Sequence, residues 1–266
     1  MFTKLIFCCV SIGISIVASC AWAQQMRVET EVSVRGETTP VSKSLTLFDD
    51  ALVYDFLMVQ DDYSVAKNRE PKFQVEEVVV FDRSQQRIIL LDQKQKQQME
   101  VEHIELLGMA AAMKASEAMR AKDLFLLEPT LNASFDDTNE EIVLSSPRLT
   151  YRCKGNASDD TQSLVSYYQF ADWAARLNVT DSRKMPPFAR LQLNQAIRKR
   201  GWMPTQVRLE LKTKDGDIFS AVAKHHTIMR LSENDQIRIA SVQKQLSEFP
   251  VVKLIEYRGL GKPTQD

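Results

Sequence analysis

The sequence predicts an α+β fold built around an antiparallel sheet. Three observations carry this. Apolar or alternating runs of about five residues recur between polar turns, the pattern of hairpin strands. Fewer, longer segments rich in Ala, Leu, Met, Glu and Lys carry helical spacing. The strand-like runs are grouped, with the helical segments grouped between them, unlike the one-for-one alternation of a parallel sheet. A chain of 266 residues with 44% hydrophobic side chains suffices for one sizeable core.

Residues 1–23 are expected to be a signal peptide. Lys4 supplies a positive start, LIFCCVSIGISIVA an apolar stretch short for a membrane span, and Ala21-Trp22-Ala23 a small-x-small cleavage site. Cleavage between Ala23 and Gln24 would leave 24–266 as a single exported domain, periplasmic or secreted, with a short disordered C-terminal tail. A competing expectation is lipid anchoring through Cys20, because Val17-Ala18-Ser19-Cys20 loosely fits a lipobox. No later apolar run reaches transmembrane length. Cys8, Cys9 and Cys20 lie in the leader, so the mature chain keeps Cys153 alone and forms no internal disulfide. Losing Lys4 moves the formal charge from −1 to −2, and no basic tract follows, which argues against a nucleic-acid partner.

The first strands begin at once. In RVETEVSVR (27–35), Val28, Thr30, Val32 and Val34 share one face and charged residues the other. FDDALVYDF (48–56), FDRSQQRIIL (81–90), LDQKQKQQMEV (91–101) and FDDTNEEIVL (135–144) share a plan. An apolar residue precedes Asp, a polar stretch follows, and a new apolar run begins. Asp at a strand end starts a turn by bonding the backbone beyond it. VVVF and IILL are apolar on both faces and need a second layer over the sheet. TQVRLELK (205–212) alternates, with Val207, Leu209 and Leu211 inward. Asp215-Gly216 then signals a hairpin and 219–231 its returning strand.

Four helices are expected, over 103–122, 161–178, 186–201 and 233–247. Asp160 is a cap for the second, Gly201 ends the third, and Ser232 with Asp235 resembles a capping box for the fourth. The order is six strands, a helix, three strands, two helices, a hairpin, then a last helix and strand.

Chemistry is sparse. His225 and His226 are adjacent on a strand, so they point to opposite faces and do not chelate one metal. The acid pairs Asp49-Asp50, Asp61-Asp62, Asp136-Asp137 and Asp159-Asp160 lack the register and glycine of a calcium loop and read as solvated turns. Cys153 alternates with Leu149 and Tyr151 on a strand-like run and reads as a buried, inert thiol. There is no Gly-x-Ser-x-Gly elbow and no dinucleotide fingerprint, and GLGK (259–262) lacks the upstream glycine of a phosphate loop. Neither catalytic residues nor a cofactor are expected. Met109 and Met113, one turn apart, are candidate ligand contacts because methionine adapts to varied apolar shapes, and Tyr168 and Trp173 are candidates from the second helix. Ordinary core packing explains the same residues.

The leader, the meander from Val28 to Val101 and the later helices together resemble the periplasmic lipoprotein-carrier superfamily. That resemblance implies a strongly curved, half-barrel-like sheet whose helices close one face over an apolar ligand. YYQFADWAARLN and PPFARLQLN are also similar to uncharacterised secreted bacterial proteins. The expected function is therefore a noncatalytic cell-envelope protein that binds or carries a lipid, acyl chain or other apolar small molecule. The alternatives are an envelope scaffold with a filled core, acting on another envelope protein, and a hydrolase with dispersed catalytic residues.

Overall fold

A computed structural model describes residues 25–34, 36–37, 39–60, 72–213 and 215–259. The expectations for the leader, Cys20, the Ala23–Gln24 cleavage, Asp61-Asp62 and the tail beyond 259 lie outside these residues. The eleven strands are β1 (Gln25–Val34), β2 (Ser42–Asp49), β3 (Leu52–Gln60), β4 (Phe73–Asp82), β5 (Arg87–Asp92), β6 (Gln97–Glu102), β7 (Asn132–Asp136), β8 (Glu141–Ser145), β9 (Leu149–Ala157), β10 (Trp202–Lys212) and β11 (Ile218–Ile228). They form one curved, open, antiparallel sheet in the order β6-β5-β4-β3-β2-β1-β11-β10-β9-β8-β7. Two meanders are therefore joined at their chain ends, where β1 pairs with β11 and Thr30 stands opposite His225.

The turn aspartates do what the sequence predicts. The Asp82 carboxylate accepts from the backbone N–H of Ser84 at 3.1 Å and of Gln85 at 3.0 Å. Asp92 accepts from Lys94 and Gln95 at 2.8 and 2.7 Å, and Asp136 from Thr138 and Asn139 at 3.1 Å each. Each four-residue loop then closes through a left-handed residue, Gln86, Lys96 or Glu140, all at φ 52°. The carboxylate satisfies the donors that the reversing chain would otherwise leave bare. The Asp49 turn is shorter, and its carboxylate accepts instead from the Gln25 side chain at 3.1 Å.

Helices α1 (His103–Ala115), α2 (Glu117–Leu127), α3 (Thr161–Arg176), α4 (Phe188–Arg200), α5 (Glu233–Glu248) and α6 (Leu254–Tyr257) complete the described structure, with a 3₁₀ turn at Leu177–Thr180. That makes six helices where four are expected. The segment 103–122 is not one helix. It breaks at Ser116, whose hydroxyl accepts from Met119 N–H and starts α2, since serine competes for backbone groups and favours caps over helix interiors. The expected last strand reduces to a single bridge between Val251 and Gln98, followed by α6. Asp160 and the Ser232/Asp235 box cap α3 and α5, and Gly201 ends α4 at φ +68°.

Helices packed on one face are a second expectation that needs correction. Val79, Phe81, Ile88 and Leu90 belong to a large core with residues of α1, α3 and α4, on what we term the inner face. Val78, Val80, Ile89 and Leu91 point the other way, into a separate core with Ile239 and Val242 of α5. The doubly apolar strands are thus sandwiched between helices, and α5 covers the outer face only where that face is apolar. Strands such as β1, with charged outer residues, are left uncovered by this core. Arg27 of β1 fastens the start of α5, reaching the Asp235 carboxylate at 2.7 and 2.9 Å. α5 leads to the sheet edge, where Gln98 of β6 donates its N–H to Pro250 at 2.9 Å and Val252 donates to Gln98 at 2.8 Å. That strap satisfies an edge that would otherwise expose bare donors.

Candidate functional site

On the inner face, β10 and β11 present Leu209, Leu211 and Phe219 in register, Leu209 opposite Ala221 and Leu211 opposite Phe219. The helices do not pack tightly onto this end. α2 contributes Met119, Leu126 and Leu127 from above, and the segment 182–186 closes the side with Met185 and Pro186. The gap is an open-mouthed pocket of about 550 Å³, within the range of small-molecule sites. Phe219 remains 38% exposed, which for a residue on the core-facing side of a sheet marks the missing cover.

Local geometry explains the gap. Asp123 has non-helical φ/ψ and kinks α2. Its carboxylate grips the Arg148 guanidinium through two contacts of 2.9 Å, tying the kink to the approach to β9. On the other side, Asp181 accepts from Arg183 N–H at 3.0 Å and from two guanidinium nitrogens at 2.9 Å each. The Arg183 bonds pull the Asp181 carboxyl down to about 2, against the opposing effect of burial. With both flanks fixed, the pocket does not close by collapse. Lys122, Asp123, Arg183 and Lys184 lie among its lining residues, with Arg183 paired to Asp181.

A second, smaller pocket of about 230 Å³ lies under α3 and α4, against β1, β2 and β11. Its lining includes Val28, Thr30, Ser44, Phe170, Arg190 and His225. His225 faces inward and its Nδ1 is 2.9 Å from Thr30 Oγ1, while His226 is exposed on the outer face. A third pocket, of about 280 Å³, contains Glu77, which bonds Arg258 at 2.8 Å and accepts from the Tyr257 hydroxyl at 3.2 Å.

The residues singled out in the sequence occupy other places. Met109 is partly buried against the inner core, and Met113 is partly buried on α1. Tyr168 is buried and donates its hydroxyl to the Trp202 carbonyl at 3.0 Å. Trp173 stacks on His103, with ring centroids 3.7 Å apart, and carries the Arg176 guanidinium at 4.8 Å. None of the four lines the 550 Å³ pocket. The inward alternation of Leu209 and Leu211 was readable, but their partners come from segments far away in sequence. Met119, on the same predicted helix as Met109, does reach the pocket, as does Met185.

The groups able to do covalent chemistry are not assembled there. Cys153 is fully buried, and burial pushes its thiol up to about 12, so it stays protonated. Among the described residues, no group of three or more His, Cys, Asp or Glu is placed to hold a metal ion, and no helix is long and apolar enough to cross a membrane. No family model matches the chain, and no curated protein matches it in sequence.

Proposed function

We propose that this protein is a noncatalytic, exported cell-envelope protein that binds an amphiphile, with the apolar chain held between α2 and β10–β11. The carrying observation is the pocket of about 550 Å³ floored by Leu209, Leu211 and Phe219. Lys184 beside the pocket favours an acidic head group. The curved antiparallel sheet, with helices over its inner face, supports the resemblance to lipoprotein carriers.

A fluorescent fatty acid bound by the mature protein tests this reading. Binding should be saturable, and Leu126→Trp should weaken it at least tenfold while the fold survives, by filling the pocket. Within a saturated fatty-acid series, each added methylene contributes about 0.8 kcal/mol, hence about fourfold in affinity, until the pocket is full. Chain-length-independent affinity, or unchanged binding in Leu126→Trp, would defeat the reading.

A second reading, an envelope interaction protein, is favoured by α1. Ile104 and Leu107, one turn apart, are 66% and 42% exposed on that helix. Ile104→Lys together with Leu107→Lys would abolish partner capture in that case, yet leave fatty-acid binding intact.

A further inference from the structure

The 230 Å³ pocket has a different character from the large one. Its walls are apolar on the α3 side, with Phe170, Ala171, Ala174 and Ala175, and polar on the sheet side, with Thr30, Ser44, Thr46 and His225. Arg190 enters from the first turn of α4. Among the described residues, no carboxylate lies within ion-pair distance of its guanidinium. Its one hydrogen bond goes from Nε to Asn194 Oδ1 at 3.0 Å, which leaves the two terminal nitrogens to the pocket. Other arginines over the sheet are paired: Arg148 holds Asp123, Arg198 holds Asp172 and Arg258 holds Glu77.

The sheet side adds to this. His225 lines the same pocket, and its Nε2 is sealed from solvent without a hydrogen-bond partner. If Thr30 Oγ1 donates to Nδ1, the remaining proton sits on Nε2, so a neutral imidazole carries an unused donor. The ring is held neutral by burial first and by Arg190 second, with its pKa brought down to about 3. Thr46 is spoken for, since its hydroxyl donates to Asp55 at 2.8 Å. The Tyr167 and Ser44 hydroxyls line the pocket as well, each able to donate or accept. The terminal nitrogens of Arg190 form a planar fork that an anion in this pocket could fill.

We infer that this pocket is a second ligand site, for the carboxylate of a small or amphiphilic organic acid, clamped by the Arg190 fork with the Ser44 hydroxyl and His225 beside it. A carboxylate suits the guanidinium bidentately. The alanine-rich wall admits a short apolar stub, and the volume excludes a bulky head group. The site is independent of the amphiphile reading, because it shares no lining residue with the large pocket.

Calorimetry with hexanoate on the mature protein tests the inference. Saturable binding is expected, with none for the uncharged methyl ester. Arg190→Gln should weaken hexanoate more than tenfold, and Arg190→Lys should weaken it less, since charge survives without the fork. The ligand-free Arg190→Gln protein should melt at the same temperature or higher, which excludes unfolding as the cause. Leu126→Trp, which fills the other pocket, should leave hexanoate binding unchanged. Dodecanoate separates the two sources of the acid. If it binds through Arg190 and hexanoate does too, free short acids suffice; if dodecanoate alone binds through Arg190, the carboxylate is the head of an amphiphile. Binding of neither acid, equal binding of the methyl ester, or full binding in Arg190→Gln overturns the site.

Discussion

Asp82 shows how much one side chain does at a turn. It is 5% exposed and accepts from Ser84 and Gln85, with Arg87 at 3.4 Å. Burial by itself would raise its pKa, but the bonds from Ser84, Gln85 and Arg87 outweigh burial and lower it. Asp82→Asn keeps an acceptor oxygen and should cost little. Asp82→Ala bares two backbone donors and should cost about 1–3 kcal/mol in chemical denaturation.

Two inner-face groups set opposing pH dependences. Burial raises the Asp55 carboxyl to about 6, opposed by the Thr46 hydroxyl and aided by Glu77. Its folded value lies above its unfolded one, so its stabilising contribution is present below about 4 and lost as pH rises through 6. His225 is lowered to about 3, so its contribution is present above about 6.5 and lost as pH falls toward 3. The two slopes oppose each other between about pH 4 and 6. Asp55→Asn, which still accepts from Thr46, should raise the melting temperature above pH 6, with the gain vanishing near pH 4. Its melting temperature should fall more steeply on acidification than that of the parent. A gain of equal size at every pH would refute this account of Asp55.

At the scale of elements, the β9–β10 ladder depends on close backbone approach. A Cβ on Gly155 would stand 2.8 Å from the Met203 carbonyl oxygen and 3.1 Å from the Trp202 side chain. Both strands are held by their register, and neither contact is the free end of a flexible chain. Gly155→Ala should therefore destabilise by about 1–3 kcal/mol, through overpacking rather than a lost contact. α5 makes a complementary case. Ile239 and Val242 are its buried residues against the outer core. Ile239→Ala should cost about 2–5 kcal/mol in urea unfolding. It should also increase hydrogen exchange in β4 and β5, which that helix covers, while leaving the pocket over β10 and β11 unchanged.

For the whole molecule, the joining pair is β1 and β11, which brings residues near 30 against residues near 225. That closure places the two pockets along one continuous face. It extends the inner face of the first meander into that of the second, so Val28 and His225 share one pocket while Leu209 and Phe219 floor another. The layers are unequal. The inner helices are a discontinuous cover broken at Ser116, Asp123 and the 182–186 segment, whereas α5 is a single unbroken helix of 16 residues. The pocket of about 550 Å³ and the one of about 230 Å³ lie on the discontinuous side.

The antiparallel α+β class, the grouping of the strands into two runs, the Asp turns and the inward faces of β1 and β10 were all determined by sequence alone. Each rests on interactions within a few residues, such as alternation, caps and side-chain bonds to adjacent N–H groups. The double-sided apolarity of VVVF and IILL also stated that both faces needed cover, though not which helix served which face. Tertiary structure decided the rest. The break at Ser116 turned one expected helix into two, because a hydroxyl cap and the docking of α2 through Asp123 outweighed helix propensity. α5 went to the outer face, where Val78, Val80, Ile89 and Leu91 present an apolar patch. The pockets could not be read from Met109, Met113, Tyr168 or Trp173, since a cavity is the space left between segments distant in sequence. Nothing in the sequence sets Arg190 apart from the other basic residues of its helix. Its missing carboxylate partner became visible only once the sheet was folded beneath it.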